Sequence, residues 1–138
     1  MMTKPKQKQV FTSRRMSRIQ TLQLLFESDL RDSYNQEDDN NISTEFTNLL
    51  ITGIKKNIID IDKNIKKYAP DWPINQMPII DKNILRVAIY EIIYKDAIPK
   101  VIANESVELA KLFGSESSPK FINGVLGSLI ESKEKITI

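Results

Sequence analysis

Apolar residues recur at steps of three and four along most of this chain, the spacing at which side chains share one face of an α-helix. The first series is Ile19, Leu22, Phe26 and Leu30, with Leu25 beside it. It predicts a helix that starts at Thr12 or Ser13, either of which can cap it, and ends near Leu30. A second series begins at Ile42 and runs through Phe46, Leu49, Leu50, Ile54, Ile58, Ile61, Ile65 and Tyr68. This is one long helix, or two with a break near Asn57 to Asp60. Pro70 and Pro73, on either side of Trp72, end it, because proline cannot donate the next helical hydrogen bond.

Pro78 opens a third series containing Ile80, Ile84, Leu85, Val87, Ala88, Ile92 and Ile93. A helix so apolar from Ile84 to Ile93 is expected at the centre of the core. Pro99 separates it from a helix over about Lys100 to Phe113, with Gly114 in the position favoured for a C-cap. Ser118 and Pro119 then read as an N-cap followed by proline at the first helical position. That last helix carries Phe121, Ile122, Val125, Leu126, Leu129 and Ile130. No strand-like alternation and no internal repeat competes. The fold class is all-α.

The connecting stretches differ in charge. Residues 1–11 have no periodicity and read as a disordered basic arm. From Met1 to Arg18 the charged residues are Lys4, Lys6, Lys8, Arg14, Arg15 and Arg18, all positive. The sign then reverses through Glu27, Asp29, Asp32, Glu37, Asp38 and Asp39, with Arg31 alone against them, and 32–41 reads as an acidic loop. The lysines fit either a nucleic-acid contact or a tail kept soluble by its charge. The three arginines fall inside a helix, at the end where the helix dipole prefers acids. Positive charge concentrated there at a small cost in stability points to an anionic partner.

Composition narrows the chemistry. The chain has 138 residues, enough for one domain, and a hydrophobic fraction of 41% supports an ordinary core. Mean hydropathy is −0.31, and no apolar run approaches the roughly 18 to 20 residues of a membrane span. The N-terminus lacks the apolar stretch and cleavage site of a secretory signal, so a cytoplasmic protein without a membrane is expected. The absence of cysteine removes disulfides and thiolate sites. The absence of histidine removes the usual general base and the commonest metal ligand. Four glycines cannot build a phosphate-binding loop, and no such motif occurs. The expectation is a non-enzymatic protein with no cofactor and no metal.

Few single residues carry a signal. Glu105 and Glu108 share a helix face, but with no histidine and no second acidic pair they read as surface charge. Tyr90 and Tyr94, four apart, read as core packing with outward hydroxyls, and Trp72 as a cover for the core edge. Lys120 and Phe121 stand in the first turn of the last helix, where unpaired backbone N–H groups attract phosphate. A partly exposed Phe121 there can stack on an unpaired base; taken alone, a phenylalanine at this place packs inward.

The stretch from Ile84 to Ile130 resembles the NusB family. The matching features, in order, are Leu85-Arg86, Tyr90-Glu91, Pro99, Asn104-Glu105, Val107 to Lys111, Phe113-Gly114 and Lys120 to Leu126. The helix from Arg14 to Leu30 is similar to the family's arginine-rich start, and Gly53, Asn57, Asp62, Tyr68 and Asp71-Trp72 match more loosely. The chain departs from the family pattern at Ser117, where an acid is usual, at Gly127, and at Ala103, where a larger aliphatic is usual.

The resemblance implies about seven helices in two small packed subdomains. Residues 12–138 would form one RNA-binding domain, with an N-terminal helical part over about 12–72 and a C-terminal part over about 73–132. It implies transcription antitermination, chiefly of ribosomal RNA operons. The partners would be the boxA element of nascent RNA, the small-subunit ribosomal protein NusE and the transcription elongation complex. Family members occur as monomers or dimers, so a homodimer is a further possible partner. Carried over by position, Arg14, Arg15 and Arg18 would bind RNA, with Lys120 and Phe121 closing the same site. Phe26, Asp81 and Arg86 would lie near the partner or RNA face. Two alternatives remain open at this point: an RNA-binding module of ribosomal RNA maturation, and a helical adaptor without RNA contacts. A methyltransferase of that maturation class would need a catalytic domain and a Gly-rich cofactor loop, which the chain lacks.

Overall fold

In the computed structural model, residues 12–31 and 44–136 are described. The basic arm expected at 1–11 and the acidic loop at 32–41 lie outside the described residues, as does Ile42. The described residues form α1 (Ser13–Arg31), α2 (Glu45–Lys56), α3 (Ile58–Tyr68), α4 (Ile79–Ile89), α5 (Pro99–Phe113) and α6 (Ser118–Ile136). A 3₁₀ turn over Ile74–Gln76 precedes α4, and a π-helical turn over Tyr90–Tyr94 continues it. The resemblance implied about seven helices; six are found among the described residues. The turn at Tyr90 keeps right-handed helical backbone, φ −59° and ψ −48°, and so prolongs α4 instead of founding another helix.

Local chemistry explains the boundaries. Thr12 is the cap of α1, its hydroxyl accepting the Arg15 N–H at 3.2 Å. Thr44 caps α2 in the same way, accepting from the Thr47 N–H at 3.0 Å. The long apolar series is broken at Asn57, where the backbone leaves the helix (φ −112°, ψ 19°). The Asn57 side chain donates to the Gly53 carbonyl at 2.8 Å, closing the end of α2. Pro99 starts α5. Just before it, Asp96 adopts a left-handed conformation, φ 51°, that turns the chain out of the π-helical segment.

Gly114 does follow α5, but not for the expected conformational reason. Its backbone is extended, φ −89° and ψ −173°, which any residue can adopt. Space decides instead: a Cβ there would lie 2.6 Å from Ser118 Oγ and 2.8 Å from the Ala110 carbonyl oxygen. Ser118, expected as a cap, is the first residue of α6. It turns its hydroxyl to Asp81 at 2.7 Å while accepting the Ser115 N–H at 2.9 Å.

The core is continuous from Leu22 of α1 to Leu129 of α6. α4 stands at its centre, packed against α1, α3, α5 and α6, with every residue from Asn83 to Tyr90 buried. On α1 the buried face is rotated from the apolar stripe. Leu22 and Leu25 are interior, but so are Ser17, Thr21 and Ser28, while Leu30 is 64% exposed. Those three hydroxyls donate to the carbonyls four residues earlier, at 2.8 to 3.0 Å, so their burial leaves no donor unpaired.

Four polar side chains of α4 and its π turn enter this apolar centre, each paired with a side chain of another helix. Asp81 meets Ser118 of α6. Arg86 grips Asp62 of α3 through Nε and Nη2, at 2.8 and 2.9 Å, and reaches Asp29 of α1 through Nη1 at 3.1 Å. Asn83 donates to the same Asp29 at 2.9 Å. Glu91 accepts from Arg18 of α1. A buried charge is tolerated only when it is paired in this manner.

Candidate nucleic-acid interface

The first turn of α1 carries no acid, and its three arginines have three different fates. Arg18 points inward and is 9% exposed. Its Nε and Nη2 each donate to a Glu91 carboxylate oxygen at 2.8 Å. Burial works against the Arg18 charge, and the Glu91 carboxylate more than offsets it, so the guanidinium is held above its ordinary pKa. Arg15 lies at the surface edge and crosses to α5, donating to Glu105 from Nε at 2.7 Å and from Nη2 at 3.1 Å. The hydrogen bond to Glu105 raises the Arg15 pKa against a smaller effect of burial. Arg14 is exposed, and its Cζ sits 4.2 Å from the centre of the Phe46 ring of α2.

The start of α6 supplies the other expected residues. Lys120 is exposed, and Phe121 is half-buried with its ring edge-on to Trp72, centroids 4.8 Å apart. Two shallow grooves meet here. One, of about 800 Å³, runs between α5 and α6 and is lined by Arg15, Glu105, Lys111, Lys120 and Asn123 among others. The second, of about 590 Å³, is walled by Tyr68, Trp72 and Phe121 and floored by Gly124 and Val125. Lys120 lines both. Glu105 and Glu108 pair with Arg15 and Lys111 in the first groove, so Lys120 is the cation it offers beside the aromatic slot, a pairing suited to a backbone phosphate and an unstacked base.

The structure therefore brings Arg15, Lys120 and Phe121 together and leaves Arg14 nearby on the α1–α2 edge. The other expected residues lie elsewhere. Arg18, expected at the exposed start of α1, is inside the protein because Glu91 draws it there. Asp81 and Arg86, expected near a partner face, are 2% and 4% exposed and bind Ser118, Asp62 and Asp29 within the fold. Burial pushes the Asp81 carboxyl up, against the opposing hydrogen bond from Ser118. Phe26 is half-buried on α1.

The NusB family model matches residues 15–131 of the chain. The chain belongs to the NusB family. It is 44% identical over 129 residues to the transcription antitermination protein NusB of Dehalococcoides mccartyi, covering 86% of this chain and 90% of that relative. The crystal structure of T. maritima NusB matches with a TM-score of 0.77 at 31% identity, covering 94% of this chain and all of the other. A crystal structure of the antitermination factors NusB and NusE in complex with double-stranded RNA matches with a TM-score of 0.73, over 86% of this chain and 96% of that one. At 24% identity that last likeness shows the NusB fold alone.

Within this NusB fold, sequence reasoning missed the groups that sort the arginines. Glu91 stood in the family pattern without a role and Glu105 was read as surface charge, and each proves to be an arginine's carboxylate. Phe46 was read only as a core position, and Trp72 only as a cover, although it is the ring against which Phe121 is set. Among the described residues no helix is long and apolar enough to cross a membrane.

Proposed function

We propose that this chain is a cytoplasmic transcription antitermination factor that binds the boxA RNA of nascent ribosomal transcripts together with NusE, within the elongation complex, and catalyses no reaction. The observation that carries this reading is the meeting of Arg15 and Lys120 in one groove, with Phe121 in the next. The cations hold phosphates and so fix the RNA register, while the Phe121–Trp72 slot takes a base. The relative's name as an antitermination protein and the joining of NusB, NusE and RNA in one solved complex support it. Arg14, Arg15, Lys120 and Phe121 are the direct contacts in this reading. Arg18 acts from the interior by fixing α1, and Phe26 belongs to the NusE side. Residues 12–138 act as one RNA-binding unit, with 1–11 as its basic arm.

The test is binding of a boxA RNA oligonucleotide, with and without NusE, at several salt concentrations. The expected result is weak binding alone and tighter binding with NusE, because the shallow grooves enclose only part of an RNA strand. Equal affinity in both cases sinks the reading.

A further inference from the structure

On the basis of that RNA-binding reading, we propose that Phe46 is a positioning residue that holds Arg14 ready for an RNA phosphate, extending the RNA-contact surface from α1 onto the start of α2. Three observations lead there. Arg15 and Arg18 each commit Nε and Nη2 to a carboxylate, whereas Arg14 pairs with no carboxylate among the described residues. Arg14 is instead held over the Phe46 ring at 4.2 Å, an attraction to the π-face that occupies none of its N–H donors as a carboxylate would. The ring is itself fixed in place. Thr44 caps the helix that carries it and bonds Ser17 of α1 at 2.8 Å, and Arg18 approaches the same ring at 5.5 Å.

A long cation restrained in this way has lost much of its rotamer freedom before any ligand arrives, while its fork of donors stays exposed to an anion. A carboxylate restraint, as at Arg15, fixes the side chain equally well but takes two of its N–H groups and offsets part of its field. The aromatic platform fixes the position and keeps the charge. On the α1–α2 edge, Arg14 is therefore the cation suited to anchor a phosphate beyond the Arg15–Lys120 groove.

The experiment measures affinity for a single-stranded boxA RNA in the presence of NusE across a salt series. The proteins are the unaltered chain, Arg14→Ala, Phe46→Leu, Phe46→Tyr and the Arg14→Ala/Phe46→Leu double variant, with folding checked by circular dichroism. Phe46→Leu is expected to weaken binding about three-fold. It should also lower the log–log salt slope toward that of Arg14→Ala, by up to ~0.7. Phe46→Tyr keeps the ring and is expected to keep both affinity and slope. In the Arg14→Ala background, Phe46→Leu should cause no further loss, which a purely structural role for the ring would not produce. Should leucine not be accommodated, Phe46→Met carries the same expectation. Unchanged affinity for Phe46→Leu, or an equal loss on top of Arg14→Ala, overturns the proposal. Tight RNA binding by the unaltered chain with no loss in Arg14→Ala overturns this inference alone, whereas no RNA binding by the unaltered chain overturns the functional reading with it.

Discussion

Arg18 and Glu91, 73 residues apart in the sequence, meet in the protein interior through two parallel hydrogen bonds of 2.8 Å. The contact ties the first helix to the π turn that ends α4, and it makes an arginine of the expected RNA cluster a part of the core.

Removing that arginine is expected to unfold rather than merely disarm the protein. Arg18→Ala strands Glu91, which is 3% exposed, and should cost about 3–5 kcal/mol in urea unfolding. Arg14→Ala, at the exposed end of the same helix, should cost no more than about 1 kcal/mol. Replacing both members of the pair, as Arg18→Met/Glu91→Leu, should recover most of the loss. A stable Arg18→Ala protein would show that the pair contributes little.

Asp81 gives a pH signature. Burial raises its carboxyl in the folded protein above the unfolded value near 3.9. The folded state therefore holds this proton more tightly, so the stability it contributes is present below the unfolded pKa and is lost as pH rises through the folded one. Asp81→Asn keeps an acceptor for the Ser118 hydroxyl and removes the titration. In urea unfolding the variant should compare more favourably with the parent at pH 7 than at pH 4. The reverse order would mean that the fold stabilises the charged carboxylate.

Gly53 lets α2 approach the ring of Tyr90, and a Cβ at this position would fall on the phenol itself. Gly53→Ala should therefore destabilise the protein by roughly 1–3 kcal/mol. Adding Tyr90→Leu should return part of that loss, so the double variant is more stable than the sum of the single effects. Strict additivity in thermal unfolding would place the strain elsewhere.

Ser117 is exposed in the turn before Lys120. Ser117→Asp should weaken boxA binding by ~0.5 to 1 kcal/mol at low salt, and by less at high salt, because a new negative charge beside the groove repels phosphate. The same charge near the start of α6 should leave stability level or slightly raised. RNA affinity that does not move at low salt would take this turn out of the site.

Helix positions were legible in the sequence because period and punctuation agree. Pro99 and the caps fall where the chain changes character, and the break in the second series lies at Asn57, one edge of the range it allowed. The fate of the arginines was not legible, because a helical run of three positive charges says nothing of partners on other helices. One signal was present: Arg15, Arg18, Leu22 and Leu25 follow one another at steps of three, four and three, so the two arginines continue the core face of α1. The burial of Ser17, Thr21 and Ser28 was hidden for a related reason, since a hydroxyl satisfied within its own helix counts as polar in a pattern but packs as a small side chain. For Lys120 and Phe121 the sequence put both in the first turn of α6; the Trp72 wall beside them needed three dimensions.

The polar residues of α4 bear on mispacking. A core of isoleucine and leucine offers many nearly equivalent ways for helices to slide past one another, since one branched side chain fills another's place at small cost. Shifting α4 by a single turn, about 5.4 Å, would carry Arg86 away from Asp62 and Asp29, and Glu91 away from Arg18, leaving each charge alone in a dry interior. The slipped arrangement could keep its oily contacts and would still be rejected. Asp81, Arg86 and Glu91 thus work as the teeth of a key, admitting one alignment of the central helix and holding the two grooves at a fixed distance from the start of α1.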